Sequence, residues 1–417
     1  MLLEFINGIL VLKLDALWTT TLAIILLLLG FAIRNKFGVI GRFCIPAPVI
    51  GGLAMSLMAL LLHHTGNFAI QFTTSMQSPM MLAFFTTVGI GGSLGLLKRG
   101  GRALIIYLVF CWFLAIVQNA FGAGLASALG LNPILGIMAG AVSLEGGHGA
   151  AAAFGPMAEG LGVKGAAAVA IASATYGLIA GGLLGGPVAK TLIERHHIKI
   201  EASKDTIFLK SADDVLNERS ERNVTSGALL RSLALVLVLM VIGSYLSLYV
   251  AKLSAGTNFS LPGYVTAMFA AVIFRNLNDH FNLVKINNSC IDIISDISIG
   301  IFLTMAMMSL RIWDLYDLAL PLIAILLLQT LVIVLLAMFA LFRLLGKDYD
   351  AVVMCSGLIG HGLGATPNAV ANMGSVCERY GVMSYKAFLI VPLCGAVLID
   401  LVGIPNIVWF INFFANH

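Results

Sequence analysis

Ten apolar stretches divided by short polar loops constrain what this 417-residue chain can fold into. A helix that crosses a bilayer needs about 20 mostly apolar residues. The stretches lie near 13–33, 46–63, 77–97, 103–129, 166–190, 227–253, 261–277, 289–310, 317–343 and 387–413. Only 11% of the residues are charged, whereas soluble domains average about 25%. The sequence therefore predicts an all-α polytopic membrane protein.

Two further apolar stretches, 131–163 and 348–380, are interrupted by glycines, and each precedes the last span of its half. Non-helical backbone at membrane depth is tolerated only inside protein or beside a water-filled cavity. We therefore expect each segment to be a re-entrant hairpin that turns back to the side from which it entered. The two tips are expected to meet near the middle of the membrane.

The two halves of the chain repeat one another. His148 and His361 occupy corresponding broken segments. Each half carries five spans, an odd number, so the second half must enter from the opposite face. The sequence predicts two inverted-topology repeats of five transmembrane helices, at 1–192 and 227–417, an arrangement typical of secondary transporters. The hydrophilic loop 193–226 joins them.

Lysine and arginine predict the orientation. If the N-terminus lies outside, only four of the 24 basic residues are external, namely Lys13, Lys164, Lys252 and Arg311. Cytoplasmic loops carry the excess of positive charge. This places both termini outside the cell and the central loop inside it. The opening residues lack a basic n-region and a cleavage site, so they are expected to be retained.

Composition also limits the partners. The net charge of +4 and the absence of a basic run argue against nucleic acid. The six cysteines form no CxxC pair, and the spacing of Glu145 and His148 lacks the further ligands of a zinc site. We expect no cofactor and no metal other than a transported monovalent ion.

The broken segments supply a candidate solute site. Glycine permits a tight turn, and the helix that resumes after the turn presents free N–H groups and a positive dipole end to a carboxylate. The candidates are Ser143, Gly146, Gly147, His148, Gly149, Gly362, Gly364, Thr366, Pro367 and Asn368.

Several of these roles have an alternative. Ser143 could bind solute or backbone, and Thr366 could contact substrate or cap the helix that starts near Pro367. Asn368 offers both a donor and an acceptor, which favours contact with a solute. His148 is better explained by a structural hydrogen bond.

Carboxylates inside the spans predict a cation site. An unpaired charge there costs about 2.5–3.5 kcal/mol on insertion scales. The candidates are Glu145 beside the first break, Asp296 and Asp400 inside later spans, and Asn119 in the fourth span, which could instead hold helices together.

Five motifs in order resemble the bacterial sodium/glutamate symporter family. They are GGHGAAAAF at 146–154, GLGATPNAVANM at 362–373, SPMMLAFFTTVGI at 78–90, VQNAFG at 117–122 and PLCGAVLID at 392–400. The resemblance implies Na⁺-coupled import of L-glutamate across the bacterial inner membrane, in contact with lipid, by a homodimer that works by alternating access with elevator-like movement. The sequence departs from the family pattern at His361 and at Ala150, where we expect Thr in relatives. The residues before Lys13 are an extension without a counterpart in the family pattern.

Other classes remain open at this level. An ion-coupled citrate or hydroxycarboxylate carrier also uses paired glycine-rich loops, and a channel could use two half-helices. An intramembrane enzyme is not indicated, because the chain has neither an HExxH nor a Gly-x-Gly-Asp motif.

Overall fold

The computed structural model describes residues 2–6, 9–38, 45–65, 68–93, 101–200, 224–253, 261–316 and 318–415. Most of the central loop, 201–223, and the end of the third predicted span therefore lie outside the described residues. Helices dominate the rest, and each predicted span coincides with a helix. The N-terminal half contains α1 Ala16–Lys36, α2 Ala47–Thr65, α3 Gln77–Gly91, α4 Gly101–Ala128, α5 Pro133–Met138, α6 Ala141–Leu144, α7 Gly147–Gly160 and α8 Ala166–His196.

The C-terminal half also contains eight helices among the residues that the structure describes. They are α9 Ser226–Leu253, α10 Gly263–Phe281, α11 Asn288–Met308, α12 Ala319–Leu344, α13 Tyr349–Leu363, α14 Thr366–Tyr380, α15 Tyr385–Leu393 and α16 Asp400–Ala415. A π-helical turn, Leu336–Leu341, lies within α12, and a second, Cys394–Leu398, lies between α15 and α16. A 3₁₀ turn, Ile312–Leu315, precedes α12.

Six of the described helices are long and apolar enough to cross a membrane. They are α1, α4, α8, α9, α11 and α12. The chain is therefore a multi-pass membrane protein. The four remaining predicted spans are also helical, at α2, α3, α10 and α15–α16, but are shorter or less apolar.

A small sheet departs from the all-α expectation. Its strands are β1 Leu2–Ile6, β2 Ile9–Leu14 and β3 Phe68–Phe72. β1 pairs antiparallel with β2, and β2 pairs parallel with β3. The N-terminal extension and the end of the loop after α2 thus satisfy their backbone groups by pairing with each other, which a search for apolar helices does not detect.

The helices pack as two bundles. Bundle A, as we call it, contains the first three helices of each half: α1, α2 and α3 with α9, α10 and α11. Bundle B contains the remainder, α4–α8 and α12–α16. Within bundle A, Gly30 lies against the backbone of Ala47, and Gly243 against that of Ala267. Such contacts require small residues, because only these let two helix backbones approach closely.

The bundles meet through side chains instead. The Phe154 ring on α7 lies 5.5 Å from the Tyr264 ring on α10, edge to face. A methyl group built on Gly149 would lie 3.4 Å from the Phe84 ring and 3.8 Å from Ile299, which are ordinary contact distances. The two bundles therefore pack less closely against each other than the helices do within each bundle.

Gly177 on α8 lies directly against the backbone of Leu363 in bundle B. A methyl group there would overlap the carbonyl oxygen of Leu363 at the end of α13. Gly181 and Gly185, further along α8, also lie against α13 and α14, as small residues do where helices pack closely.

Gly177→Ala is expected to lower the stability of the folded chain by about 1–3 kcal/mol, because overpacking forces backbone shifts. The measurement is the thermal unfolding midpoint in detergent. Gly186→Ala is the matched control, since it lies on the same helix and a methyl group there meets nothing within 4 Å. Equal midpoints for the two variants would contradict the contact.

Candidate functional site

The breaks of the two glycine-rich segments touch each other. A methyl group built on Gly147, at the start of α7, would lie 3.3 Å from the carbonyl oxygen of Gly364, which follows α13. Two positions more than 200 residues apart in sequence are therefore neighbours in bundle B. Both belong to the predicted solute site, and the structure brings them together.

Position 147 requires glycine, the residue without a side chain. Its φ is 59°, a left-handed conformation that costs other residues about 1–2 kcal/mol. The preceding turn comprises Glu145 and Gly146, after which α7 runs from Gly147 to Gly160. The N–H groups of its first turn have no acceptor within the helix, as at any helix start, and they lie at the contact between the two breaks.

The second break is set by proline. α13 continues through Gly360, His361 and Gly362 to Leu363, and the chain becomes extended at Ala365 with φ −163°. Pro367 lacks an N–H group, and its ring would collide with the carbonyl four residues earlier, that of Leu363. The break therefore falls at Gly364 and Ala365, just before α14.

Gly362 therefore precedes the break and does not form part of it. It lies buried inside α13, and its carbonyl accepts a 2.8 Å hydrogen bond from Gln118 Nε2. Of the two alternatives for Thr366, capping of α14 is not observed. The helix begins at Thr366, so the capping position is Ala365, and no side chain caps it.

Two neighbouring amide side chains on α4, Gln118 and Asn119, form hydrogen bonds with the two broken segments. Gln118 binds Gly362 in the second segment, and Asn119 Oδ1 accepts the N–H of Ala141 in the first at 3.1 Å. Gln329 on α12 donates to the Gln118 carbonyl at 2.7 Å. The sequence analysis did not identify Gln329. It follows Gln118 by 211 residues, close to the 213 residues that separate His148 from His361. Asn119 thus caps the start of α6.

A cavity of about 60 Å³ lies beside the first break, between the bundles. Glu145, Gly146 and Asp400 line it from bundle B, and Phe84 and Phe85 line it from bundle A. About 10–15 Å³ of such volume is enough to hold one water molecule, so the cavity has room for a small ion with several waters.

The charges around this cavity are unbalanced. Its lining contains the carboxyl groups of Glu145 and Asp400 and no basic side chain. Both oxygens of Glu145 are buried and lack a hydrogen-bond partner among the described residues. An uncompensated buried carboxylate is strongly unfavourable, and such a group is stabilised either by a cation or by protonation.

Asp296, the remaining candidate carboxylate, lies elsewhere. It occupies an exposed position on α11 of bundle A and is not among the residues that line the cavity. The structure therefore brings together two of the four candidate ion ligands, Glu145 and Asp400. Asn119 lies one contact away, through Ala141, which also lines the cavity.

Three candidate side chains, Ser143, His148 and Asn368, form hydrogen bonds with other parts of the protein. Ser143 donates to the Ala170 carbonyl at 2.7 Å and also approaches that of Met138. His148 Nε2 is 3.0 Å from the Thr175 hydroxyl, which agrees with the structural role expected for this histidine.

Asn368 is only 1% exposed, and its Nδ2 donates to the Leu178 carbonyl at 2.7 Å. Its Oδ1 has no hydrogen-bond partner within the described part of the chain. This oxygen can therefore still accept a hydrogen bond. Among the described residues, no three His, Cys, Asp or Glu side chains cluster as a transition-metal site.

Apolar helices of spanning length, two broken segments that touch and an acidic cavity beside them define a multi-pass membrane protein of the solute-carrier class. The model of the sodium/glutamate symporter family matches residues 12–382. The sodium/glutamate symporter of Escherichia coli (strain K12) is 40% identical over 395 residues, which are 94% of this chain and 96% of that protein. The sodium/glutamate symporter of Haemophilus influenzae is 38% identical over 390 residues, 92% of this chain and 94% of that protein.

The chain belongs to the sodium/glutamate symporter family. The resemblance stated from its motifs is thereby confirmed, as is the prediction of a transporter rather than an enzyme. The comparisons give no support to a hydroxycarboxylate carrier or a channel.

Proposed function

We propose that this protein is a secondary active transporter that imports L-glutamate together with Na⁺ across the bacterial inner membrane. Membership of the sodium/glutamate symporter family supports the two solutes. The observation that carries the proposal is the contact between the breaks at Gly147 and Gly364 beside the cavity of Glu145 and Asp400. One place in the protein thus offers helix N-termini to an anion and carboxylates to a cation.

The substrate site in this proposal lies at the two breaks. Glutamate carries two carboxylates, and the N-termini of α7 and α14 can each receive one. The backbone of Gly146, Gly147 and Gly149 would serve the first, and that of Gly364 and Thr366 the second. The ammonium group would take Oδ1 of Asn368, the unpartnered oxygen described above. Ser143 and His148 would support the site through their protein contacts rather than touch the solute.

The ion site in this proposal is the cavity. Na⁺ would bind the carboxylates of Glu145 and Asp400, and neutralise charge that is otherwise uncompensated. Coupling is favourable because moving the net negative glutamate into a negative cell interior costs about 2.3 kcal/mol per 100 mV. One Na⁺ cancels that cost and adds its own concentration gradient, and further ions would make the potential assist.

Alternating access would arise from movement of bundle B against bundle A, an elevator-like motion. The supporting observation is that the bundles meet through side chains such as Phe84 and Ile299, while close backbone packing stays within each. The two broken segments are proposed to be re-entrant hairpins in inverted repeats 1–192 and 227–417, with both termini periplasmic and the loop 193–226 cytoplasmic. The homodimer implied by the resemblance also stays a prediction.

Uptake of radiolabelled glutamate into proteoliposomes tests the function. An inward Na⁺ gradient is expected to drive accumulation above equilibrium, whereas H⁺ or K⁺ gradients imposed separately are not. Citrate in place of glutamate is the substrate control. Accumulation driven equally by an H⁺ gradient without Na⁺ would contradict the proposed coupling ion.

Asn368→Asp is expected to weaken glutamate uptake and to destabilise α14. The new carboxylate loses the donor to Leu178 and places an oxygen against that carbonyl, and a lost hydrogen bond to a buried group costs about 1–3 kcal/mol. The half-saturating glutamate concentration and the thermal midpoint are both measured. Asn368→Ala, which removes Oδ1 without adding charge, is the comparison. Unchanged half-saturation in both variants would remove Asn368 from the site.

A further inference from the structure

We propose that His361 is a positioning residue that links the substrate site to the ion cavity by packing against the π-helical turn before Asp400. This role rests on the function proposed above. His361 lies in the last turn of α13, three residues before the break at Gly364, and is only 1% exposed. The sequence interpretation gave it no clear role, and the function just described does not use it.

The imidazole is fixed from two sides. Its Nε2 lies 2.8 Å from the hydroxyl group of Tyr107 on α4. On the other side the ring covers Gly395, where a methyl group would lie 3.0 Å from His361 Cγ and 3.3 Å from Nδ1. Those distances are shorter than ordinary carbon contacts, so only glycine fits there without a shift of the ring or of the turn.

Gly395 belongs to the π-helical turn Cys394–Leu398, which ends two residues before Asp400. A π turn inserts an extra residue into a helix and occurs frequently at functional sites. It also changes the direction of the residues that follow, because one added residue rotates the next turn around the axis. The Leu398 carbonyl of this turn accepts a 3.2 Å hydrogen bond from the Trp112 indole on α4. The turn thus contributes to aiming Asp400 into the cavity.

A short physical path follows from these contacts. It leads from the break at Gly364 through the last turn of α13 to His361, across one van der Waals contact to Gly395, and along the π turn to Asp400. A displacement of the second break by glutamate would be transmitted to the ion ligand by packing. The ring's other near neighbour is Cys111, whose Sγ lies 3.8 Å from Nε2, so the proposed role is steric and needs no change of charge.

A double-mutant cycle between positions 361 and 395 tests the link. The half-saturating Na⁺ concentration for glutamate uptake is measured in proteoliposomes for wild type, Gly395→Ala, His361→Ala and the double variant. The half-saturating glutamate concentration is measured at saturating Na⁺. Gly124→Ala is the matched control, since it is a helix glycine with nothing within 4 Å of an added methyl group.

Gly395→Ala is expected to raise the half-saturating Na⁺ concentration at least about fivefold, equivalent to about 1 kcal/mol. His361→Ala should raise it as well. In the double variant the added methyl group has space, so the value should stay within about twofold of that of His361→Ala alone. The glutamate value at saturating Na⁺ should change little, which a general loss of structure would not produce.

Equal effects of Gly395→Ala with and without the imidazole would overturn the proposal, as would a Gly395→Ala variant with the Na⁺ titration of wild type. If His361→Ala does not fold, Tyr107→Phe replaces it. That variant keeps the ring but removes its anchor, and an unaltered Na⁺ titration would count against the link. Wild-type uptake without Na⁺ dependence is a different failure. It would remove the proposed function, and this inference with it.

Discussion

Glu145→Gln is expected to abolish most Na⁺-driven glutamate uptake while the protein still folds and inserts. Glutamine keeps the size of the side chain but removes one of the two negative charges that line the cavity. A hydrogen bond or contact to a charged partner is worth about 1.5–3 kcal/mol, so the half-saturating Na⁺ concentration should rise about 10- to 150-fold. The measurement is uptake into proteoliposomes over a series of Na⁺ concentrations.

Asp400→Asn should behave in the same way, because it removes the other carboxylate of the same cavity. Asp296→Asn is the matched control. It neutralises a carboxylate inside a predicted span that lies at an exposed position and does not line the cavity. An unchanged Na⁺ titration in Glu145→Gln, or equal shifts in all three variants, would exclude this cavity as the ion site.

Gly147→Ala is expected to remove most glutamate binding. Alanine at this position must adopt a left-handed backbone conformation, which costs about 1–2 kcal/mol. Its methyl group would also lie 3.3 Å from the carbonyl oxygen of Gly364. Because the two breaks already touch, the strain must be relieved by moving them apart. The backbone donors of the two segments would then no longer converge on one solute, and the half-saturating glutamate concentration should rise at least about tenfold.

Gly162→Ala separates the effect of strain from the effect of position. Gly162 also has a positive φ, 89°, but it follows the other end of α7, and a methyl group there meets nothing within 4 Å. It should lose stability of similar size and retain its affinity for glutamate. If both variants lose affinity equally, the break at Gly147 has no special role in binding.

The sequence predicts the helices of this protein well because apolar length is a strong signal. The spans expected near 103–129 and 227–253 correspond closely to Gly101–Ala128 and Ser226–Leu253. The N-terminal strands were missed because Leu2–Ile6 and Ile9–Leu14 are too short to stand apart from the apolar helix that follows. Their pairing with Phe68–Phe72 depends on a contact distant in sequence.

The site was predicted in part. Gly147, Gly364 and the carboxylates Glu145 and Asp400 could be proposed because glycine breaks and intramembrane charges are unusual. The sequence indicates the helix start near Pro367, but not that α13 continues through Gly362 to Leu363, which depends on packing against other elements. That Asp296 lies outside the cavity also depends on how the bundles pack, which periodicity does not specify.

Chemical labelling at the second break tests the central claim most directly. In a background without native cysteines, Thr366→Cys places a thiol at the first, partly exposed residue of α14. Met383→Cys, exposed in the loop after α14, is the control. The account predicts that a water-soluble thiol reagent labels position 366, and that glutamate with Na⁺ slows this labelling whereas glutamate with K⁺ does not. A thiol at 366 that is inert, or that reacts equally under all conditions while 383 is labelled normally, would contradict it.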